Sequence, residues 1–232
     1  MIFTKEADFE SALIQQLSNH GWEAECIEYP TEEALVKNWA DIIYKNNCSP
    51  DKLDKYPLTD SEMNQILMQI KMLKSPAMIN DWINGKVVTI KRDNPDDMMH
   101  LGRNVSLKIF DRNEIASGQS VYQIVRQPQF KSLNDVSRDR RGDVMLLING
   151  MPVIHIELKR SGVPVDFAIN QIDLYNRRGM FSGLFSLIQI FVAMTPEETV
   201  YFANPGNGET LKSEFQFHWA DVNNEIIGDW TQ

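Results

Sequence analysis

The stretch that decides the fold is RGDVMLLINGMPVIHIELK, residues 141–159. Two β-type runs, 143–149 and 153–159, flank Gly150-Met151-Pro152, and this pattern predicts a hairpin. With Gly150-Met151 at the tip, paired residue numbers sum to about 301, which sets Asp143 opposite residues 157–159, give or take one position. Side chains alternate along a strand, so His155, Glu157 and Lys159 share one face while Ile154, Ile156 and Leu158 share the other. The hairpin therefore gathers two carboxylates and one amine at its open end.

That trio suits phosphodiester hydrolysis. The hard carboxylate oxygens of Asp143 and Glu157 can hold Mg²⁺ and leave coordination positions for water and a substrate phosphate. A metal so held polarises the phosphoryl oxygen and lowers the pKa of a bound water. A lysine two residues from the carboxylate can orient that water and stabilise developing negative charge. The competing reading is a surface salt bridge between Glu157 and Lys159. Against it, Glu157-Leu158-Lys159 is the only Asp/Glu-x-Lys in the chain, and it ends an apolar strand opposite an aspartate.

Outward from the hairpin, residues 4–17 predict an amphipathic helix: Phe9, Leu13 and Leu17 keep helical spacing and Gly21 stops it. A second helix is predicted over 32–44. Thr59-Asp60-Ser61-Glu62 has capping-box spacing ahead of the Met63, Ile66, Leu67, Ile70 stripe. Strands are predicted at 87–91, 105–110 and 121–126, followed by a polar, basic loop over 131–142. Residues 166–178 predict a helix, 187–194 and 199–203 strands, and 204–208 a loop, and the tail to Gln232 has weak periodicity. Helices first, then sheet, helix and sheet, give an α/β or α+β core with an N-terminal helical layer.

Composition excludes several classes. The 232 residues are 43% hydrophobic and 24% charged, as in an ordinary globular protein. No apolar run reaches the roughly 18 residues of a membrane span, and the acidic start is unlike a signal peptide, so a cytoplasmic setting is expected. Two cysteines, Cys26 and Cys48, cannot build a Cys-based zinc or iron–sulfur site. The net charge of −9 is uneven: residues 1–130 carry −5, 131–180 carry +2 and 181–232 carry −6. The positive region holds Arg138, Arg140, Arg141, Lys159, Arg160, Arg177 and Arg178, either a solvated patch or a phosphate-facing one.

Residues 141–159 closely resemble the nuclease hairpin of the R subunit (HsdR) of type I restriction enzymes, members of the PD-(D/E)xK nuclease superfamily. The family pattern continues with Gln-x-x-x-Tyr on the next helix, matched by Gln171 and Tyr175, the only such pair in the chain. Residues 9–13, Gly21-Trp22, 58–70 and 87–92 resemble family segments more loosely. The resemblance implies a restriction-endonuclease-like core, a central mixed sheet flanked by helices. It implies Asp143 and Glu157 as metal ligands, the Leu158 carbonyl as a further ligand and Lys159 as the catalytic lysine. Gln171 and Tyr175 would contact DNA or order the site, with Arg177 and Arg178 supplying charge. Related nucleases use an acid on a preceding helix, for which Glu10 is the candidate; a solvated helix face is its plainer reading.

Two departures stand out. Gly142 precedes the first aspartate, where the pattern usually has proline. The phosphate-binding G-x-x-x-x-G-K-[ST] loop of the family's motor is missing, since Gly206-Asn207-Gly208-Glu209-Thr210 has no lysine. The expected organisation is a nuclease domain over 1–205, with its catalytic core at about 100–205 and a helical layer at 1–85. Residues 206–232 would lead towards an ATPase motor absent from this chain, and ATP would serve only that motor. Duplex DNA and the M and S subunits are the partners this implies. The alternatives are a catalytically silent docking module for those subunits and a stand-alone repair or defence nuclease.

Overall fold

A computed structural model describes residues 1–85, 87–110, 120–131, 140–206 and 208–231. Helix α1 spans Glu6–Asn19, and Gly21 leaves it with φ +98°, which a glycine adopts without steric cost. Strand β1 is the short Ile27–Glu28. Helix α2, Glu32–Asn46, is capped by the Thr31 hydroxyl, which accepts from the Ala34 N–H. Helix α3, Asp60–Lys71, starts on the predicted capping box. Thr59 accepts from the Glu62 N–H at 3.1 Å and donates its own N–H to the Glu62 carboxylate at 2.9 Å. Helix α4, Pro76–Asn84, was not anticipated; nine residues are too few for an apolar stripe to repeat, although Ser75 and Pro76 start it in the usual way.

Strands β2 (Val87–Lys91) and β3 (Asn104–Lys108) form a separate antiparallel pair. A buried ion network braces the turn between them: Arg92 reaches Glu62 at 2.6 Å and Asp97 at 2.8 Å. The carboxylate that caps α3 thus also neutralises a guanidinium at the end of β2.

Strand β4 is Tyr122–Arg126; β5 (Gln129–Phe130) and β6 (Arg140–Arg141) form a small ribbon. The predicted hairpin is β7 (Val144–Ile148) and β8 (Met151–Leu158). Helix α5, Asp166–Arg177, and a 3₁₀ turn at Gly183–Leu187 lead to β9 (Ile190–Met194) and β10 (Thr199–Ala203). The strand predicted over 187–194 therefore begins three residues late, because the 3₁₀ turn takes up its start. After a second 3₁₀ turn, Ser213–Phe215, β11 (Phe217–His218) draws the weakly patterned tail back onto the sheet. Most of the basic loop, including Arg138, lies outside the described residues, as does Asn207.

The main sheet has seven strands in the order β1-β4-β7-β8-β9-β10-β11. Pairs β1–β4 and β8–β9 are parallel and the other neighbours antiparallel, a mixed α/β sheet. Alternation divides its side chains between two cores. Ile124, Val144, Leu146, Ile156 and Leu158 pack against Phe9 and Leu13 of α1. Val125, Met145, Leu147 and Phe191 face α2 and α5, with Trp39 and Ile172 among the buried partners. Each fully buried side chain of this size stabilises the fold by about 1.5–3 kcal/mol relative to exposure. No helix among the described residues is long and apolar enough to cross a membrane.

The hairpin turns one residue earlier than predicted. Its tip is Asn149-Gly150, with φ +52° and +80°, and a two-residue turn with positive φ at both positions matches the twist of the flanking strands. Near the tip Ile148 pairs Met151 and Leu147 pairs Pro152. A bulge at that point leaves Val153 extra, and the register resumes with Leu146–Ile154, Met145–His155 and Val144–Ile156. One step further sets Asp143 opposite Glu157. Without the bulge it would face Ile156, whose side chain belongs to the other core.

Candidate active site

The open end of the hairpin brings the predicted trio together. Asp143, half-buried, enters β7, and Glu157, fully buried, closes β8. The register carries Asp143 to the position across from Glu157, close enough for the charge of Glu157 to bear on it. Asp143 also accepts the Leu158 N–H at 2.7 Å. Burial, then the charge of Glu157, pushes the Asp143 carboxyl well above its usual range. Burial likewise pushes Glu157 up to about 8, although Lys159 pulls the other way.

Lys159 stands at the sheet end between α1 and β8. Its Nζ lies 3.9 Å from Glu157 Oε1 and 3.8 Å from Glu6 Oε1, too far for hydrogen bonds, and donates at 2.7 Å to the Leu158 carbonyl. The Lys159–Glu157 ion pair is therefore a long one, shared with Glu6 and without a hydrogen bond.

The nearest donors to Glu157 are neutral. Gln171 on α5 donates from Nε2 to Glu157 Oε1 and also to the Tyr175 hydroxyl at 2.7 Å; that hydroxyl donates at 3.0 Å to the Arg141 carbonyl. One helical turn thus links the carboxylate of β8 to the chain that delivers Asp143. Tyr175 itself is buried, and burial raises its phenol pKa. Of the two expectations for this pair, DNA contact or site ordering, Tyr175 has the geometry of ordering. Ile169 and Ile172 face the core.

The other candidates stand as follows. Arg177 is exposed and pairs with Asp173 at 2.5 Å, and Arg178 is half-buried at the end of α5. Arg140 and Arg141 are exposed just ahead of Asp143. Glu10 is not a solvated face: it is buried, paired with Arg126 and accepting from Gln127 at 3.3 Å, so its charge is already matched. The sequence reading put His155 on the Glu157 face but gave it no part in the site. Its Nε2 lies 3.2 Å from Glu157 Oε2, and burial lowers its pKa to about 4, keeping the ring neutral. Among the described residues no group of three or more His, Cys, Asp or Glu converges as a complete metal cage.

A mixed sheet flanked by helices, with paired carboxyls and a lysine at the end of its central hairpin, defines a restriction-endonuclease-like α/β protein. The chain belongs to the family described as type I restriction enzyme R protein N terminus (HSDR_N), which matches residues 3–210. It is 32% identical over 98% of its length to the type I restriction enzyme SsaAORF53P endonuclease subunit of Staphylococcus saprophyticus, and 30% identical over 98% to the SauMSSORF170P endonuclease subunit of Staphylococcus aureus. In both cases it spans 22% of the relative's length. The EcoprrI endonuclease subunit of Escherichia coli is 28% identical, covering 98% of this chain and 67% of that protein.

Proposed function

We propose that this chain is the endonuclease region of a type I restriction R subunit, hydrolysing phosphodiester bonds of duplex DNA with Mg²⁺. The observation that carries this reading is the convergence of Asp143 and Glu157 at the open end of the hairpin, with the Lys159 Nζ 3.9 Å from Glu157. Two acids brought together in a partly buried place are stable only when a proton or a cation offsets their charges, so the donor set fits a hard divalent ion. Asp143 and Glu157 would hold it, joined by the Leu158 carbonyl once Lys159 releases that oxygen. When bound, the ion supplies Lewis-acid polarisation of the phosphoryl oxygen and acidifies a water. A pair, and not a full cage, leaves room for waters and phosphate.

The remaining work falls to the chain's own groups. Lys159 offers an ammonium to the attacking water and to the charge that grows on the phosphate. Gln171 orients the Glu157 carboxylate, and Tyr175 fixes the approach to Asp143. Arg140, Arg141, Arg177 and Arg178 would meet backbone phosphates, contacts that position a duplex without reading its sequence. Sequence choice and methylation would rest with separate S and M subunits, and ATP-driven movement with the part of the longer relatives that this chain does not span. The site of action is the cytoplasm. The intact trio favours this reading over a silent docking module.

The test is incubation with supercoiled plasmid and Mg²⁺, alone and with M and S subunits, beside a Lys159→Ala control. Metal-dependent cutting by the unsubstituted chain, absent in the control, is expected. Equal cutting by both would remove Lys159 from the chemistry, and no cutting in any assembly would favour docking.

A further inference from the structure

Glu157 is gripped on both oxygens. Gln171 holds Oε1, and the ring of His155 stands 3.2 Å from Oε2 through Nε2. The ring is fully buried among Phe130, Phe181 and Phe191, with centroid separations of 5.5, 5.4 and 6.2 Å. Its other nitrogen, Nδ1, is buried without a hydrogen-bond partner. With Glu157 ionised, as it must be to hold a metal, only one neutral tautomer suits this cage. A proton on Nε2 is donated to the carboxylate and leaves a bare lone pair on Nδ1. The opposite tautomer would bury an unpaired N–H and turn a lone pair towards a carboxylate oxygen.

The chain ahead of Asp143 is shaped around the same ring. A Cβ on Gly142 would come 2.4 Å from His155 Cε1 and 2.9 Å from Phe130 Cε2. The imidazole therefore occupies the space a larger residue would need, at the position where the family pattern usually has proline. Asp143 and Glu157 both lean on this ring, one through the adjacent backbone and the other through a hydrogen bond.

We propose that His155 is a positioning residue, whose Nε2–H sets the orientation in which Glu157 meets the metal. The inference rests on the reading of Asp143 and Glu157 as a metal centre. A ring serving only as core filler would be replaced by phenylalanine without consequence for that centre. A donor to Glu157 would be replaced better by glutamine, whose amide N–H can reach the same oxygen. Partners of this kind, bonded to a ligand and not to the metal, typically change metal affinity by about 10–100-fold when removed.

The experiment is Mn²⁺ titration of the 232-residue chain, followed by calorimetry and by electron paramagnetic resonance of the free ion. The unsubstituted protein is compared with His155→Phe, His155→Gln and Asp143→Ala, and the fold of each is checked by circular dichroism. Expected are affinity weakened about 10-fold or more by His155→Phe, substantial rescue by His155→Gln, and loss of binding in Asp143→Ala. Unchanged affinity in a folded His155→Phe variant, with Asp143→Ala still defective, overturns the role of His155 alone. An unsubstituted chain that binds no Mn²⁺, or one indifferent to Asp143→Ala, overturns the metal centre and this inference with it. Should the phenylalanine variant not fold, long-range ¹H–¹⁵N spectra of the unsubstituted protein decide. Protonation of His155 at Nε2 sustains the inference, and protonation at Nδ1 overturns it.

Discussion

The Tyr175 hydroxyl donates to the main-chain carbonyl of Arg141 over 3.0 Å, tying helix α5 to the chain two residues before Asp143. The same hydroxyl accepts from Gln171, which holds Glu157. Helix α5 is therefore a clamp across both carboxylates. Tyr175→Phe keeps the buried ring and deletes both bonds. Stability should fall by about 1 kcal/mol, the net worth of an ordinary hydrogen bond, while cleavage falls by more than that implies. Denaturant melts and plasmid cleavage measured on one preparation check this. A variant that loses stability but cuts at the normal rate would show that the clamp is only structural.

Lys159→Ala should abolish cleavage and spare the fold. Its Nζ makes one hydrogen bond, to the neighbouring carbonyl, whereas the hairpin is held by Ile156, Leu158 and Val144 beneath α1. Loss of a group acting on transition-state charge is worth about 10²-fold or more in rate. A near-normal rate in a folded variant would assign the lysine to surface charge.

The carboxyl pair should make the metal-free chain pH-sensitive. Glu157 is pushed up to about 8 in the fold from an ordinary 4.5, so its stabilising contribution is full below pH 4.5 and lost as pH rises through about 8. His155 has the opposite sign: with its pKa lowered from 6.5 to about 4, its contribution is present above 6.5 and lost as pH falls towards 4. The range 6.5–8 therefore isolates the carboxyls. Across it the melting temperature should fall as pH rises, less so in Glu157→Gln, and Mg²⁺ should remove the fall by binding the folded state. Identical pH profiles for the two proteins would mean that Glu157 is ionised throughout.

Arg92→Met tests stability away from the site. The guanidinium is fully buried between Glu62 and Asp97, and removing it leaves Glu62 with backbone donors alone and Asp97 with His100. A loss of about 3–5 kcal/mol is expected, read from urea melts, with Mn²⁺ affinity unchanged wherever the chain stays folded. A loss below 1 kcal/mol would mean that water reaches the acids.

Gly142→Ala should destabilise by about 1–3 kcal/mol, the usual cost of overpacking. Its added carbon meets the rings of His155 and Phe130, neither of which has room to turn. Chemical denaturation reads the cost, and a neutral substitution would show that the cage is looser than its distances.

The sequence alone determined the strands of the hairpin, the face shared by His155, Glu157 and Lys159, the capping box at Thr59 and the order of the longer elements, α4 and the two-residue strands excepted. Each of these follows from periodicity or short-range chemistry, which a local stretch of residues carries complete. Tertiary structure decided what depends on distant partners. The bulge at Val153 sets whether Asp143 faces Glu157 or Ile156, and no composition rule marks it. Glu10 is buried against Arg126, more than a hundred residues away, where the helix pattern alone reads as a solvated face. His155 joined the site because packing of Phe130, Phe181 and Phe191 leaves its ring one direction in which to donate. Local spacing shows which residues can share a face; only the packed fold fixes which of them meet and what remains to satisfy each polar atom.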